Sequence, residues 1–125
     1  MNVQRIEPPR KFKPRPDSIL EVAHVANVSL APGDQLSFIT DSGTELDVLR
    51  TDWGYVATPS MNRRLRNHGL RAVLVRNDQD RLYLLLVEEG QESNFEEYLR
   101  SDEQTVVCWL DNDEAVQSVV DALEQ

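Results

Sequence analysis

Apolar and polar residues alternate with a period of two over much of this chain, the spacing of strands that bury one face. Over residues 19–30, Leu20, Val22, His24 and Ala26 share one face and Glu21, Ala23, Val25 and Asn27 the other. That alternation is imperfect, so a strand with both faces partly covered is predicted. Ala31-Pro32-Gly33-Asp34 reads as a turn, because proline presets φ and glycine accepts positive φ. Residues 35–40 and 44–50 then form a hairpin around Asp41-Ser42-Gly43. In its second strand Leu46 and Val48 face one way, and Glu45, Asp47 and Leu49 the other.

The period changes after Asp52-Trp53-Gly54-Tyr55, a predicted turn with an aromatic on each side of the glycine. Thr58 and Pro59 have the residue types of an N-cap and first helical position. Met61, Leu65 and His68 recur at helical spacing, and Gly69 stands where a helix C′ glycine belongs. A basic, one-sided helix is therefore predicted over residues 59–68. Strands follow at 70–76 and 81–87, joined by the polar turn Asn77-Asp78-Gln79-Asp80, and are expected to pair antiparallel at the centre of the sheet. Ser93 with Glu96 makes a capping box for a helix to about Arg100, whose apolar side is Phe95, Tyr98 and Leu99. Residues 104–110 form the last strand. Asp111 is expected to cap a final helix, whose stripe of Ala115, Val116, Val119, Val120 and Leu123 should pack on the sheet.

These elements predict an α+β fold: a mainly antiparallel sheet of about six strands with two or three helices packed on it. The chain of 125 residues divides into an arm, 1–16, and one globular domain, 17–125. Pro8, Pro9, Pro14 and Pro16 lie in the arm. Proline excludes a helix and withholds a donor from a central strand, so a disordered or extended arm is predicted.

Charge sharpens this division. Five bases and one acid give residues 1–16 a net charge of +4, and the whole chain carries −9, leaving −13 on the remainder. A body so acidic argues against nucleic acid as a partner, since phosphate neutralisation needs positive surface. No apolar run is long enough to span a bilayer and no signal peptide is evident, so no membrane partner is expected. With one cysteine, Cys108, an internal disulfide is excluded, and a cytoplasmic location is the expectation.

Candidate chemistry concentrates in residues 51–76, which hold five arginines and no acid after Asp52. The free N–H groups of a helix start, the Ser60 hydroxyl, and the forked donors of Arg63, Arg64 and Arg71 together would suit a carboxylate or phosphate. Trp53 beside them reads as a core anchor or, more sharply, as an exposed stacking platform. The plainer reading is that these arginines pair with the acidic C-terminal half, within one chain or across an interface. Trp53, Ser60, Arg63, Arg64 and Arg71 are thus the candidate ligand-binding residues. No Walker pattern or GxGxxG accompanies them.

Catalytic residues, cofactors and metals have no recognisable motif. His24 lacks a ligand partner at metal spacing, and Cys108 reads as a buried small hydrophobe. The segments TDWGYVATPSMNRRL (51–65), LRAVLVRN (70–77) and VVCWLD (106–111) resemble a family of small bacterial proteins associated with cell-surface carbohydrate biosynthesis. The resemblance spans about two thirds of the chain. It implies a sugar-related partner and no particular activity or catalytic residue.

Three function classes follow. The first is a non-enzymatic accessory or binding module, whose Arg-rich helix and Trp53 hold an anionic small molecule or a protein. The second is a structural homo-oligomer, in which arm and arginine helix meet a neighbour's acidic half. The third is an enzyme acting on an anionic sugar or nucleotide-sugar, with Asp52, His68 or an arginine converging in a pocket.

Overall fold

A computed structural model describes residues 1–125. The fold is α+β, with the elements β1 (Asn2–Phe12), β2 (Val22–Ser29), β3 (Gln35–Ile39), β4 (Glu45–Thr51), β5 (Gly54–Val56), α1 (Arg64–Asn67), β6 (Leu70–Asn77), β7 (Leu82–Glu88), α2 (Glu92–Ser101), β8 (Gln104–Trp109) and α3 (Asp113–Leu123). The six predicted strands are all present. They do not join one sheet: the strands form three small antiparallel sheets, β1–β2, β3–β4–β5 and β7–β6–β8. No helix is long and apolar enough to cross a membrane.

The N-terminal segment is not a disordered arm. β1 pairs with β2, with Asn2 opposite Ser29 and Phe12 opposite Val22. The register breaks between Arg5 and Arg10, so Pro8 and Pro9 lie in a bulge where the ladder asks for no N–H. The prolines therefore shape the strand without abolishing it.

β6 is the central strand of the third sheet. Leu70, Ala72, Val73 and Val75 are buried on it, because both of its edges are paired and both faces are covered over part of its length. On one face Val73, Val75 and Val87 pack with Leu99 of α2, flanked by Leu85, Phe95, Tyr98 and Trp109. On the other, Leu70 and Ala72 pack with Leu65, flanked by Met61, Leu46, Leu86 and Leu110. The second cluster joins the β3–β4–β5 sheet to the third sheet through α1.

Three helix expectations are corrected. α1 is a single turn, not a helix over 59–68. Chain reversal begins at Ser60, whose carbonyl accepts from the Arg63 and Leu65 N–H groups and whose hydroxyl accepts from the Arg64 N–H. That side chain competes with the helical backbone ladder and delays its start. α2 is not capped by Ser93; its start is held by the Glu92 carboxylate accepting from the Gly90 N–H. α3 is capped by Asn112, not Asp111: the Asn112 amide oxygen accepts from the Ala115 N–H at 2.8 Å.

α3 also fails to pack on the sheet. None of its residues is buried, and Val119, Val120 and Leu123 of its apolar stripe are exposed.

Candidate functional site

The proposed arginine surface resolves into separate ion pairs. Arg63 donates to the Asp113 carboxylate at 2.8 Å, beside an Asn62 amide donating to the same oxygen. These bonds hold the Asp113 carboxyl below the ordinary carboxylate range. Arg64 points the other way, 3.9 Å from Asp47. Arg71 lies on β6 and donates through Nε to Asp111 and through a terminal nitrogen to Glu92. Trp53 sits at the tip of the β4–β5 turn and is 73% exposed, so it is no core anchor. Of the five candidate residues, only Ser60 and Arg64 line one cleft, shared with Gln35, Asp47, Leu49, Val56 and Pro59.

Asp111 is the residue whose part the sequence concealed. It has the type and position of a helix cap, yet its side chain turns inward and is 2% exposed. Burial pushes its carboxyl up in pKa, but the Arg71 hydrogen bond and charge prevail and hold it below its ordinary value. Asp111 in turn raises the Arg71 pKa. Trp109, on the face that Arg71 shares with Val73, completes the arrangement by offering its ring to the guanidinium.

A second group forms around the end of α1. Glu45 and Asp47 are two residues apart on β4, so the pleat turns both to one side. His68 terminates α1 and meets them there. Ligand atoms of the three side chains lie within 4.8 Å of one another. The Ser37 hydroxyl donates to Asp47 at 2.5 Å and, with a hydrogen bond to Glu45 and the charge of Arg64, holds that carboxyl below its ordinary value against the effect of burial. The Glu45 N–H donates to the His68 carbonyl at 3.1 Å, fixing the two backbones together. Gly69, at φ +89°, makes this approach feasible: a Cβ there would stand 2.6 Å from Thr44 Cγ2.

Asp52 and His68 do not converge: Asp52 is exposed at the β4–β5 turn, whereas His68 faces Glu45. A third arrangement lies where residues 14–18 cross the third sheet. Arg15 donates to Asp78, to the Asp102 carbonyl and to Glu103, and Ser18 is buried. Together with Tyr83, Tyr98 and Gln104 this segment encloses a cleft of about 320 Å³. The Arg15 partners are more than 60 residues away in sequence, and no local pattern marks the pairing.

Comparison with protein-family models, with curated proteins and with solved structures finds no match.

Proposed function

We propose that this chain is a non-enzymatic binding module that self-associates, with the β1–β2 hairpin of one copy seated on the acidic body of another. The observation that carries this reading is the state of the hairpin. Neither strand has a buried residue, and Val3, Phe12 and Val28 are exposed on one face. A lone two-stranded hairpin is at best marginally stable in water, so an ordered one with bare apolar side chains calls for a covering surface.

The register defines the surface offered. Val3, Arg5, Arg10 and Phe12 of β1 share one face with Val22, His24, Ala26 and Val28 of β2. Arg10 stacks on Phe12 at 4.7 Å. This face is apolar and basic. The body beyond the hairpin, residues 30–125, carries the complementary character: 19 acids against 8 bases, a charge of −11, and an apolar run of Leu82, Leu84 and Leu86 along one face of the edge strand β7. A second copy thus supplies both charge complementarity and apolar cover. An anionic small molecule is the weaker reading, because Arg63, Arg64 and Arg71 already face carboxylates of their own chain.

The test is the mass in solution. Wild-type protein at low salt should run at a multiple of the 14.3 kDa chain mass and partly dissociate as salt screens the charges. Val3→Asp/Val28→Asp should run at 14.3 kDa with an unchanged body fold by circular dichroism. A wild-type mass of 14.3 kDa at every concentration and salt would exclude the second copy.

A further inference from the structure

His68 Nδ1 is buried and has no hydrogen-bond partner; Thr51 Oγ1 and Gln104 Oε1 share that condition, but only His68 belongs to a cluster of metal-ligating side chains. The nearest carboxylate oxygen, on Glu45, is 3.9 Å away, beyond hydrogen-bond reach. A buried polar atom left without a partner is costly, and folded proteins rarely keep one without cause. Here the histidine stands in a cluster with two carboxylates, in which one ligand atom each of Glu45, Asp47 and His68 lies within 4.8 Å of the others.

We propose that Glu45, Asp47 and His68 form a binding site for a divalent first-row transition ion of the Zn²⁺ or Mn²⁺ class. Such an ion takes imidazole nitrogen and carboxylate oxygen at about 2.0–2.2 Å, so two ligands on opposite sides of it are about 4 Å apart. The observed span therefore closes onto an ion by small side-chain rotations. Two carboxylates with a neutral imidazole balance a divalent charge, and the nitrogen disfavours Mg²⁺ and Ca²⁺, which prefer oxygen.

The surroundings suit the assignment. Ser37 donates to one Asp47 oxygen and so orients the other, as partners behind a metal ligand commonly do. The His68 backbone is pinned to β4 by the Glu45 N–H, so the ligand set is built before any ion arrives. Solvent reaches the three residues from two sides. Glu45 and His68 line one shallow cleft, with Ser42, Thr44 and Asn67, and Asp47 lines another, with Ser60 and Arg64. Arg64, 3.9 Å from Asp47, is the competing cation and must swing away when an ion binds. Three protein ligands leave further coordination positions open to water or an anionic group. That gives the cleft beside Ser60 and Arg64 a way to hold an anion that the arginines alone do not provide.

The experiment titrates full-length protein with Zn²⁺ and, separately, Mn²⁺, following Tm and the histidine side-chain NMR signals. The chain has two histidines, so His24 serves as internal reference. The expected result is a one-to-one stoichiometry, a Tm rise of several degrees, and a shift at the His68 ring nitrogens but not at His24. Mn²⁺ should broaden backbone signals around residues 44–47 and 68. His68→Ala should abolish the Tm rise. If that variant folds poorly, Glu45→Gln, which alters a partly exposed side chain, should weaken binding at least tenfold while circular dichroism stays unchanged. Because the chain has 22 acidic residues, some ion binds nonspecifically. A Tm rise equal in wild type and folded Glu45→Gln, or no change at His68 with millimolar ion, overturns the proposal.

Discussion

The Arg71 guanidinium stacks 4.0 Å above the Trp109 ring while its Nε donates to Asp111 just beyond that tryptophan on the chain. Trp109 meets Phe95 of α2 edge-on, with ring centroids 5.8 Å apart. Phe95, Trp109, Arg71 and Asp111 thus close one end of the core under α2. The arginine contributes a flat apolar face to the ring and a forked donor to two acids, a combination lysine does not supply.

Arg71→Ala should therefore destabilise the fold by about 3 kcal/mol, because it strands the buried Asp111 carboxylate and bares Trp109. Arg71→Lys should recover only part of this. Urea unfolding followed by tryptophan fluorescence in a Trp53→Phe background, which leaves Trp109 as reporter, measures both. Equal stability of wild type and Arg71→Ala would show that the pair is not structural.

Acid should unfold the protein through its paired carboxylates. Asp47, Asp78, Glu92, Asp111 and Asp113 all have folded-state pKa values below their ordinary ones. The unfolded chain then binds more protons, so the stabilisation is complete above the ordinary carboxylate range near pH 4 and is lost as pH falls through the folded values. Asp111→Asn should be less stable at neutral pH and show a shallower loss between about pH 5 and pH 2. Chemical denaturation across that range is the measurement, and parallel curves for the two proteins would contradict it.

Gly69→Ala and Gly43→Ala should differ in cost. Both glycines have positive φ, so each substitution incurs backbone strain of about 1 kcal/mol or more. Only at Gly69 would the added Cβ meet a neighbour, Thr44 Cγ2 at 2.6 Å, whereas Gly43 opens onto free space. Thermal unfolding should show the larger drop for Gly69→Ala, and partial recovery in Gly69→Ala/Thr44→Ser, which removes that methyl group.

Arg15 should govern how firmly the hairpin is tied to the body. It bridges Asp78, the Asp102 carbonyl and Glu103 from a linker whose backbone has few other anchors. A hydrogen bond with Glu103 and the Arg15 guanidinium hold the Asp78 carboxyl below its ordinary value, and the Asp78 hydrogen bond raises the Arg15 pKa. Arg15→Ala should speed cleavage within residues 13–20 by a non-specific protease, leaving the fragment from about residue 20 onward folded. High salt should produce the same acceleration in wild type. Unchanged cleavage would assign the linker's order to Ser18 and its neighbours instead.

Much of the fold was legible because its signals are local. The alternation in 35–40, 44–50, 70–76 and 81–87 reports side chains on opposite faces of a pleat, and the turn residues between them set chain reversal. β1 was hidden because Pro8 and Pro9 veto a regular ladder, and only pairing with β2 reveals that they occupy a bulge. α1 was overestimated because Thr58-Pro59 carries a helix-start signature that the Ser60 side chain overrides. The sequence placed Glu45 and Asp47 on one strand face, but nothing in the spacing brings His68 to them.

By itself, then, the sequence determined the α+β class, six of the eight strands, the acidic body and basic N-terminus, and the absence of an internal disulfide. Periodicity, turn chemistry and charge are properties of neighbouring residues and survive without knowledge of the fold. Tertiary structure alone decided that the strands split into three sheets, that Arg63, Arg64 and Arg71 diverge, that Asp111 turns inward, and that an unpaired histidine nitrogen meets two carboxylates. Those outcomes depend on which surfaces come together across tens of residues. A side chain's partner there is chosen by burial and charge compensation in three dimensions, which no local spacing records.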